Sequence, residues 1–136
     1  MTDHRETVLA MYQAFQRADV PFILDRLAPD VRWEDWADNH AQKAGVPWMK
    51  PLTGRANVVQ FFQLLATFKF HRFDVLAVMG GGNHATGLIA CDIELPNGKR
   101  FTEEEMHLFE FNEKGQVVKF RHYVDTAKAI AVSKGL

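Results

Sequence analysis

The segment from Phe101 to Phe111 limits what this chain can fold into more than any other. Read as a β-strand, it turns six alternate side chains to one face: Phe101, Glu103, Glu105, His107, Phe109 and Phe111. A half-buried strand ordinarily separates apolar from polar side chains more cleanly than this. Carboxylates and an imidazole set between phenyl rings are typical of a ligand cavity with a few directed polar groups. The segment therefore predicts a strand that borders an internal pocket.

Length and charge exclude several classes of protein. With 136 residues, the chain is expected to form one domain over residues 1–136. Its 16 basic and 17 acidic side chains give a formal net charge of -1, so we expect no nucleic-acid partner. No run approaches the ~20 apolar residues of a membrane span, and the polar opening from Thr2 to Glu6 lacks a signal core. The single cysteine, Cys91, excludes an internal disulfide and favours a core position in a soluble cytoplasmic protein.

The order of the predicted elements indicates an α+β fold. Asp3 and Glu6 have the spacing of a capping box before an amphipathic helix, and a short second helix follows Asp19. A strand is predicted over Val31–Trp36, a long loop over Ala37–Leu52, and then a third helix that Thr53 or Gly54 can cap. Four strands follow, over Phe70–Met79, His84–Leu95, Arg100–Phe111 and Gln116–Val124, with a closing helix from Thr126 to about Lys134. Helices are therefore expected to cover one face of a curved sheet.

Several stretches resemble one known family. They are Tyr12–Phe15, Leu27–Trp33, Leu52–Arg55 and, most strongly, Phe109–Phe111 with Lys119–Asp125. The chain is similar to the SnoaL-like branch of the nuclear-transport-factor-2-like superfamily, which includes polyketide cyclases, a ketosteroid isomerase, a scytalone dehydratase and limonene-type epoxide hydrolases. The resemblance implies a cone-shaped, cystatin-like fold, with a strongly curved mixed or antiparallel sheet and N-terminal helices on its concave face. It also implies a small hydrophobic ligand inside the cone and a homodimer formed through the outer face of the sheet.

The resemblance also implies a catalytic pair. Asp125 matches an aspartate that the cyclases and epoxide hydrolases keep at the end of the last strand, and His107 lies where the cyclases offer a histidine. Asp125 is therefore expected to act as a general acid or base that His107 orients, although it could instead cap the helix that begins at Thr126. Glu105 is a third catalytic candidate, with an ion pair to an arginine as its alternative. Glu105 and His107 replace the arginine and aspartate of the epoxide hydrolases, so that activity is disfavoured.

Further side chains are candidates for the pocket wall. The substrate-binding candidates are Tyr12, Trp33, Asp35, Trp36, Trp48, Phe62, Phe109 and Tyr123. Tyr123 is placed inside because it shares the parity of Asp125 along the last strand, which puts His122 outside unless a bulge reverses the two. Glu103 is expected at an open rim. Trp33 and Tyr123 could alternatively be core residues without contact to a ligand.

The histidines give no sign of a metal site. The chain has six, dispersed and without HxH, HxxxH or Cys-His spacing, so no metal ion is predicted. The leading hypothesis is therefore a cofactor-free enzyme that moves protons on a hydrophobic, carbonyl-bearing compound. One alternative is a binding protein without activity. Another is an interaction module that uses an outer face containing Thr86, Leu88, Met106 and Leu108.

Overall fold

A computed structural model describes residues 3–36 and 38–136. Met1, Thr2 and Ala37 lie outside the described residues; Thr2 begins the polar opening and Ala37 the predicted loop. The strands are β1 (Leu27–Trp33), β2 (Leu52–Thr53), β3 (Lys69–Gly81), β4 (His84–Glu94), β5 (Arg100–Phe111) and β6 (Val117–Tyr123). They form one curved, open sheet in the order β2-β1-β6-β5-β4-β3. The predicted α+β class is confirmed.

Most of the described helices begin at a short polar side chain or a proline. They are α1 (His4–Gln16), α2 (Val20–Asp25), α3 (His40–Lys43), a 3-10 turn (Pro47–Met49), α4 (Arg55–Leu65) and α5 (Thr126–Ser133). Asp3 caps α1 by accepting from the Arg5 backbone N–H, and Asp19 caps α2 by accepting from that of Phe22. The first helix packs on β3 and β4, and α4 packs on β1. The N-terminal helices therefore cover the concave face of the sheet.

The sheet is mixed because one strand crosses over. Strands β3 to β6 pair antiparallel in sequence order, and the Asn-Gly and Lys-Gly turn signals predict this for the last three of them, whereas β1 runs parallel to β6. Glycines with positive φ close two of the hairpins, Gly98 at φ 85 and Gly115 at φ 74. This order brings the first and the last strand together, so that β1 lies beside β6 and contributes to the same inner face.

Two predictions for the segment from β1 to Leu52 are wrong. The strand spans Leu27–Trp33 and not Val31–Trp36, and it ends early because Glu34 adopts a φ of 58, which turns the chain out of the ladder. The predicted loop before Leu52 contains α3 and the 3-10 turn, which pack on α5 and α4. These two short helices, α5 and Trp36 surround a small second core of Ala41, Val46, Met49 and Ala129. No described helix has the length and apolar content needed to cross a bilayer.

The register of β6 decides which of its side chains face inward. Glu110 of β5 is opposite Lys119, whereas Phe111 is opposite Val117, so Val118 is an extra residue. This irregularity keeps Val117 and Phe120 both buried, although they are three residues apart. His122 follows Phe120 on the inner face and is opposite His107. The predicted parity of the strand is thus reversed, in the way a bulge allows.

Candidate active site

An aromatic cavity lies between the N-terminal helices and the inner face of the sheet. It leaves about 90 Å³ for the centres of water-sized molecules. Twelve of the described residues that line it are aromatic: Tyr12, Phe15, Trp33, Trp48, Phe61, Phe62, Phe68, Phe70, Phe73, Phe101, Phe109 and Phe120. Four others carry a carboxyl or an imidazole group: Glu103, Glu105, His107 and His122. Trp48, Phe68 and Phe101 are half-buried, and Trp48 contacts both of the phenyl rings.

The first polar group in the cavity is a chain of three side chains. The His107 ring lies between Glu105, whose Oε1 is 2.8 Å from its Nε2, and Tyr12, whose hydroxyl oxygen is 2.9 Å from its Nδ1. His107 is 5% exposed, and the side chain of Glu105 is 11% exposed. Gly87 lies opposite His107 in β4, and a Cβ there would lie 2.0 Å from the Tyr12 hydroxyl oxygen. A glycine at this position therefore makes room for Tyr12 beside His107.

The second polar group is an ion pair that sequence analysis missed. Glu34, which is fully buried, accepts from the backbone N–H of His122 at 2.9 Å and lies 2.6 Å from its Nδ1. The left-handed backbone of Glu34 turns its side chain inward immediately after Trp33, which is also buried. Among the described residues, nothing pairs with the second carboxylate oxygen, Oε2. The result is a histidine held by one nitrogen, with its other nitrogen, Nε2, free of any described hydrogen bond.

The two polar groups meet across the β5–β6 ladder. His107 and His122 are opposite each other, with ring centroids 4.7 Å apart and planes at 79°. One donor atom from each of Glu105, His107 and His122 lies within 4.8 Å of the others. Phe120 packs against both histidine rings. Aromatic side chains thus exclude much of the water that would otherwise screen these charges.

Burial and neighbouring charge set the protonation of the two histidines in opposite directions. Burial lowers the pKa of His107, so its imidazole is neutral near pH 7. Burial opposes the charge on His122 as well, but the charge and hydrogen bond of Glu34, together with the charges of Glu105 and Glu103, outweigh it and raise the pKa of His122. His122 therefore favours the cationic form, and His107 the neutral one.

The two cavity carboxylates also differ. Burial alone would raise the pKa of Glu105, but the hydrogen bond from His107 and the charge of His122 lower it. Burial and repulsion from Glu105 raise the pKa of Glu103 to about 7. Since an ionised Glu105 only accepts, neutral His107 donates its Nε2–H to Glu105 and accepts from the Tyr12 hydroxyl at Nδ1. The cavity thus holds an ionised base, a cationic donor and a carboxyl group that titrates near neutrality.

Seven of the candidates from the sequence line this cavity. They are Glu105, His107, Tyr12, Trp33, Trp48, Phe62 and Phe109. The structure brings Glu105, His107 and Tyr12 into one hydrogen-bonded chain, and Trp33 stacks on Phe120 at 3.9 Å between ring centroids. Their roles in binding or catalysis stay predictions, since location alone assigns no role.

Asp125 lies outside the cavity, which corrects the predicted pair with His107. Its side chain accepts from the Lys128 backbone N–H at 3.1 Å and caps α5, the alternative that the sequence left open. Its own backbone N–H donates to Glu103 Oε1 at 2.8 Å. Strand β6 ends at Tyr123, so the alternation that pointed Asp125 inward does not reach it. Glu103, expected at an open rim, lines the cavity instead.

Three binding candidates also lie away from the cavity. Asp35 pairs with Arg32 at 3.1 Å, and its side chain is 45% exposed. Trp36 packs against Tyr123, with ring centroids 4.7 Å apart, and belongs to the small second core. Tyr123 is 43% exposed because the extra residue in β6 turns it outward. Trp36 and Tyr123 therefore form a contact on the far side of the sheet from His107.

Comparison with known proteins places the chain in a family. The model of the SnoaL-like domain matches residues 8–120. The chain belongs to the SnoaL-like domain family. No match is found among curated proteins.

Solved structures support the same fold. An NTF2-like protein of unknown function from Burkholderia pseudomallei is similar at 29% identity, with a TM-score of 0.78 and 96% of each chain covered. A candidate SnoaL-like polyketide cyclase from Mesorhizobium loti is similar at 16% identity and a TM-score of 0.69, over 90% of this chain and 99% of that one. TerC, co-crystallised with polyporic acid, is similar at 19% identity and a TM-score of 0.75, over 96% and 98%. At these low identities, the similarities to the Mesorhizobium loti protein and to TerC bear on the fold alone.

Proposed function

We propose that this protein is a cofactor-free acid–base enzyme, of the isomerase, cyclase or dehydratase type, that enolises a small hydrophobic carbonyl compound. One observation carries the proposal: Glu34 fixes His122 by its Nδ1 in an aromatic cavity, within reach of the Glu105–His107 pair. Proton abstraction next to a carbonyl needs a base and a donor to the developing oxyanion. These residues supply both.

Each polar group has one role in the proposal. Glu105 takes the α-proton, because it is ionised and its second oxygen is not held by His107. His122 donates from Nε2 to the carbonyl oxygen and stabilises the enolate, while Glu34 keeps the ring cationic. His107 and Tyr12 orient Glu105. The cavity is predominantly aromatic, which suits a planar substrate with few polar groups.

Family membership supports the reaction class. Two structural neighbours, the candidate SnoaL-like polyketide cyclase from Mesorhizobium loti and TerC co-crystallised with polyporic acid, suit carbonyl chemistry on a hydrophobic compound. We infer a similar substrate class for this chain. Its pocket is smaller than a multi-ring compound needs without rearrangement, so a one- or two-ring ketone is the better first probe.

The test is deuterium exchange into 2-tetralone, a two-ring ketone with acidic α-protons, followed by NMR in heavy water with a chelator present. Wild-type protein is expected to accelerate exchange above the buffer rate, and Glu105→Gln to reduce that acceleration by about 10²–10⁴-fold. Asp125→Asn is the matched control, because asparagine also caps a helix, and it should exchange at the wild-type rate. Exchange at the buffer rate, or equal loss in both variants, would contradict the proposal.

The same samples separate catalysis from binding alone. Trp33 and Trp48 line the cavity, so occupancy by 2-tetralone is expected to change tryptophan fluorescence. A fluorescence change with no exchange in wild-type protein would favour the binding-protein alternative. A cavity of this size weighs against an interaction module whose interior is filled with side chains.

We also propose a homodimer through the outer face of the sheet. Ala77, Leu88, Met106 and Tyr123 follow one another across four strands, and Met106 is 38% exposed. Exposed apolar rows of this kind are common at protein contacts. Met106→Glu is expected to convert a dimer into a monomer in sedimentation equilibrium. A wild-type chain that sediments as a monomer would overturn the proposed dimer.

A further inference from the structure

Glu105, His107 and His122 are a set of metal donors as well as proton-transfer groups. One carboxylate oxygen and one nitrogen of each imidazole lie within 4.8 Å of one another. We propose that these three side chains form a binding site for one divalent transition-metal ion of the zinc or iron(II) class. A bound ion would replace the proton on Nε2 of His122 and occupy Glu105, so the metal-bound form and the proton-transfer form are alternative states of one cavity. The metal proposal does not depend on the proton transfer, because binding is measured without any substrate.

The donor types fit this class of ion. Two imidazoles and one carboxylate are the protein ligands of many catalytic zinc sites and of non-haem iron(II) sites, which leave further positions open. Around a tetrahedral Zn²⁺ with bonds of ~2.0 Å, ligand atoms lie about 3.3 Å apart. The three donors here need adjustments on the order of 1 Å to reach that spacing. The open position would face the aromatic cavity.

The residues behind the donors already orient them for a metal. Histidine ligands almost always donate their other ring N–H to a carboxylate or another acceptor. Glu34 is 2.6 Å from Nδ1 of His122, which leaves Nε2 directed away from the carboxylate. Tyr12 is 2.9 Å from Nδ1 of His107. Since a hydroxyl both donates and accepts, Tyr12 can accept the Nδ1–H that His107 needs when its Nε2 binds a metal.

The charge balance of the cavity favours a cation. The twenty described residues that line it include no lysine or arginine, although they include Glu103 and Glu105. Glu34 adds a third carboxyl group, fully buried, behind His122. Buried carboxylates are costly unless a cation or proton compensates them. A dication among the three donors would provide that compensation at the centre of the negative groups.

The test uses the full chain, stripped of metal with a chelator and desalted, and titrated with Co²⁺ and then with Zn²⁺. Co²⁺ in a low-coordinate site with nitrogen and oxygen ligands gives a visible absorption that is much stronger than the weak band of hydrated Co²⁺ and shifted from it. We expect one Co²⁺ per chain, displaced by one Zn²⁺. In ¹⁵N NMR of the wild-type histidine rings, Co²⁺ should shift or broaden His107 and His122 and leave His71 unaffected. This measurement needs no variant, so a variant that folds poorly does not leave the question open.

Matched variants locate the site. Glu105→Gln is nearly isosteric and is expected to weaken Zn²⁺ binding in calorimetry by about tenfold or more, as is Glu34→Gln, which loosens His122. Glu94→Gln is the control, because it removes the carboxylate from a histidine pair on the surface, and it should bind as wild type does. Absence of saturable Co²⁺ binding, or binding that Glu105→Gln leaves unchanged, would overturn the metal site. Deuterium exchange is measured with chelator, so either proposal can fail alone.

Discussion

Two kinds of histidine–glutamate pair occur on this sheet, and they differ in burial far more than in distance. Glu34–His122 and Glu105–His107 have contacts of 2.6 and 2.8 Å inside the cavity. His71–Glu94 and His84–Glu110 have contacts of 3.0 and 3.2 Å, but their side chains are 30–44% exposed. Water screens the outer pairs, whereas aromatic rings surround the inner ones. The comparison indicates that solvent access, more than contact length, distinguishes the two kinds of pair.

Removing the Glu34 side chain breaks the buried Glu34–His122 pair and is expected to lower stability the most. Glu34→Ala leaves the His122 ring and its backbone N–H without the acceptor that both use. We expect a loss of about 3–5 kcal/mol in the free energy of unfolding, because breaking a buried ion pair leaves an uncompensated charge. Urea denaturation of metal-free protein at pH 7 measures it.

Two controls separate the carboxylate from the backbone at this turn. Asp35→Ala removes the exposed neighbour and is expected to cost about 0–1 kcal/mol. Glu34→Gly should lose about 1 kcal/mol less than Glu34→Ala, because glycine adopts the positive φ of this position without strain. Equal losses for Glu34→Ala and Asp35→Ala would show that burial does not distinguish these carboxylates.

A substitution at Gly87 tests the other buried pair, Glu105–His107, through its neighbour Tyr12, and is expected to have a smaller effect on stability. In Gly87→Ala the new Cβ would lie 2.0 Å from the Tyr12 hydroxyl oxygen, so Tyr12 must leave its place beside His107. We expect a loss of about 1–3 kcal/mol from overpacking, measured by urea denaturation.

Gly81→Ala is the matched control for this change. Gly81 is also a strand glycine, and a Cβ there meets nothing within 4 Å. It should change the free energy of unfolding far less than Gly87→Ala, and it should leave the NMR signals of the His107 ring in place. A Gly87→Ala protein with wild-type stability and an unmoved His107 signal would contradict the contact between Tyr12 and His107.

The sequence predicts much of the fold and one half of the site. Strand β5 is regular along its pairing with β4, so its alternation places Glu105, His107 and Phe109 on the inner face as predicted. The turn glycines near residues 98 and 115 mark the hairpins on either side of it. Where a strand is regular and its turns carry clear signals, the alternation of side chains along the sequence is enough to predict which of them face inward.

The other half of the site depends on two irregularities that alternation cannot predict. The extra residue Val118 reverses the parity of β6, so His122 faces inward and Tyr123 outward. Phe120 offered a signal, since a core phenyl ring shares the parity of His122. Glu34 is buried directly after Trp33 only because its φ is positive, which glutamate rarely adopts. The closeness of His107 and His122 escapes alternation for a related reason: they are neighbours across a ladder, not along the chain.

The smallest expected effect comes from the outer pair His71–Glu94. The hydrogen bond from His71 lowers the pKa of Glu94 below its usual 4.5. A carboxyl group whose pKa is lowered on folding stabilises the protein above its unfolded pKa, and this contribution is lost as the pH falls through the folded value. Glu94→Gln should therefore lower the free energy of unfolding slightly at pH 7, and by still less at pH 3 or in 1 M salt, where charges are screened. Urea denaturation of wild-type and Glu94→Gln protein under the three conditions measures these losses. A loss at pH 7 as large as that of Glu34→Ala would show that the exposed and the buried pairs of this sheet contribute equally to stability.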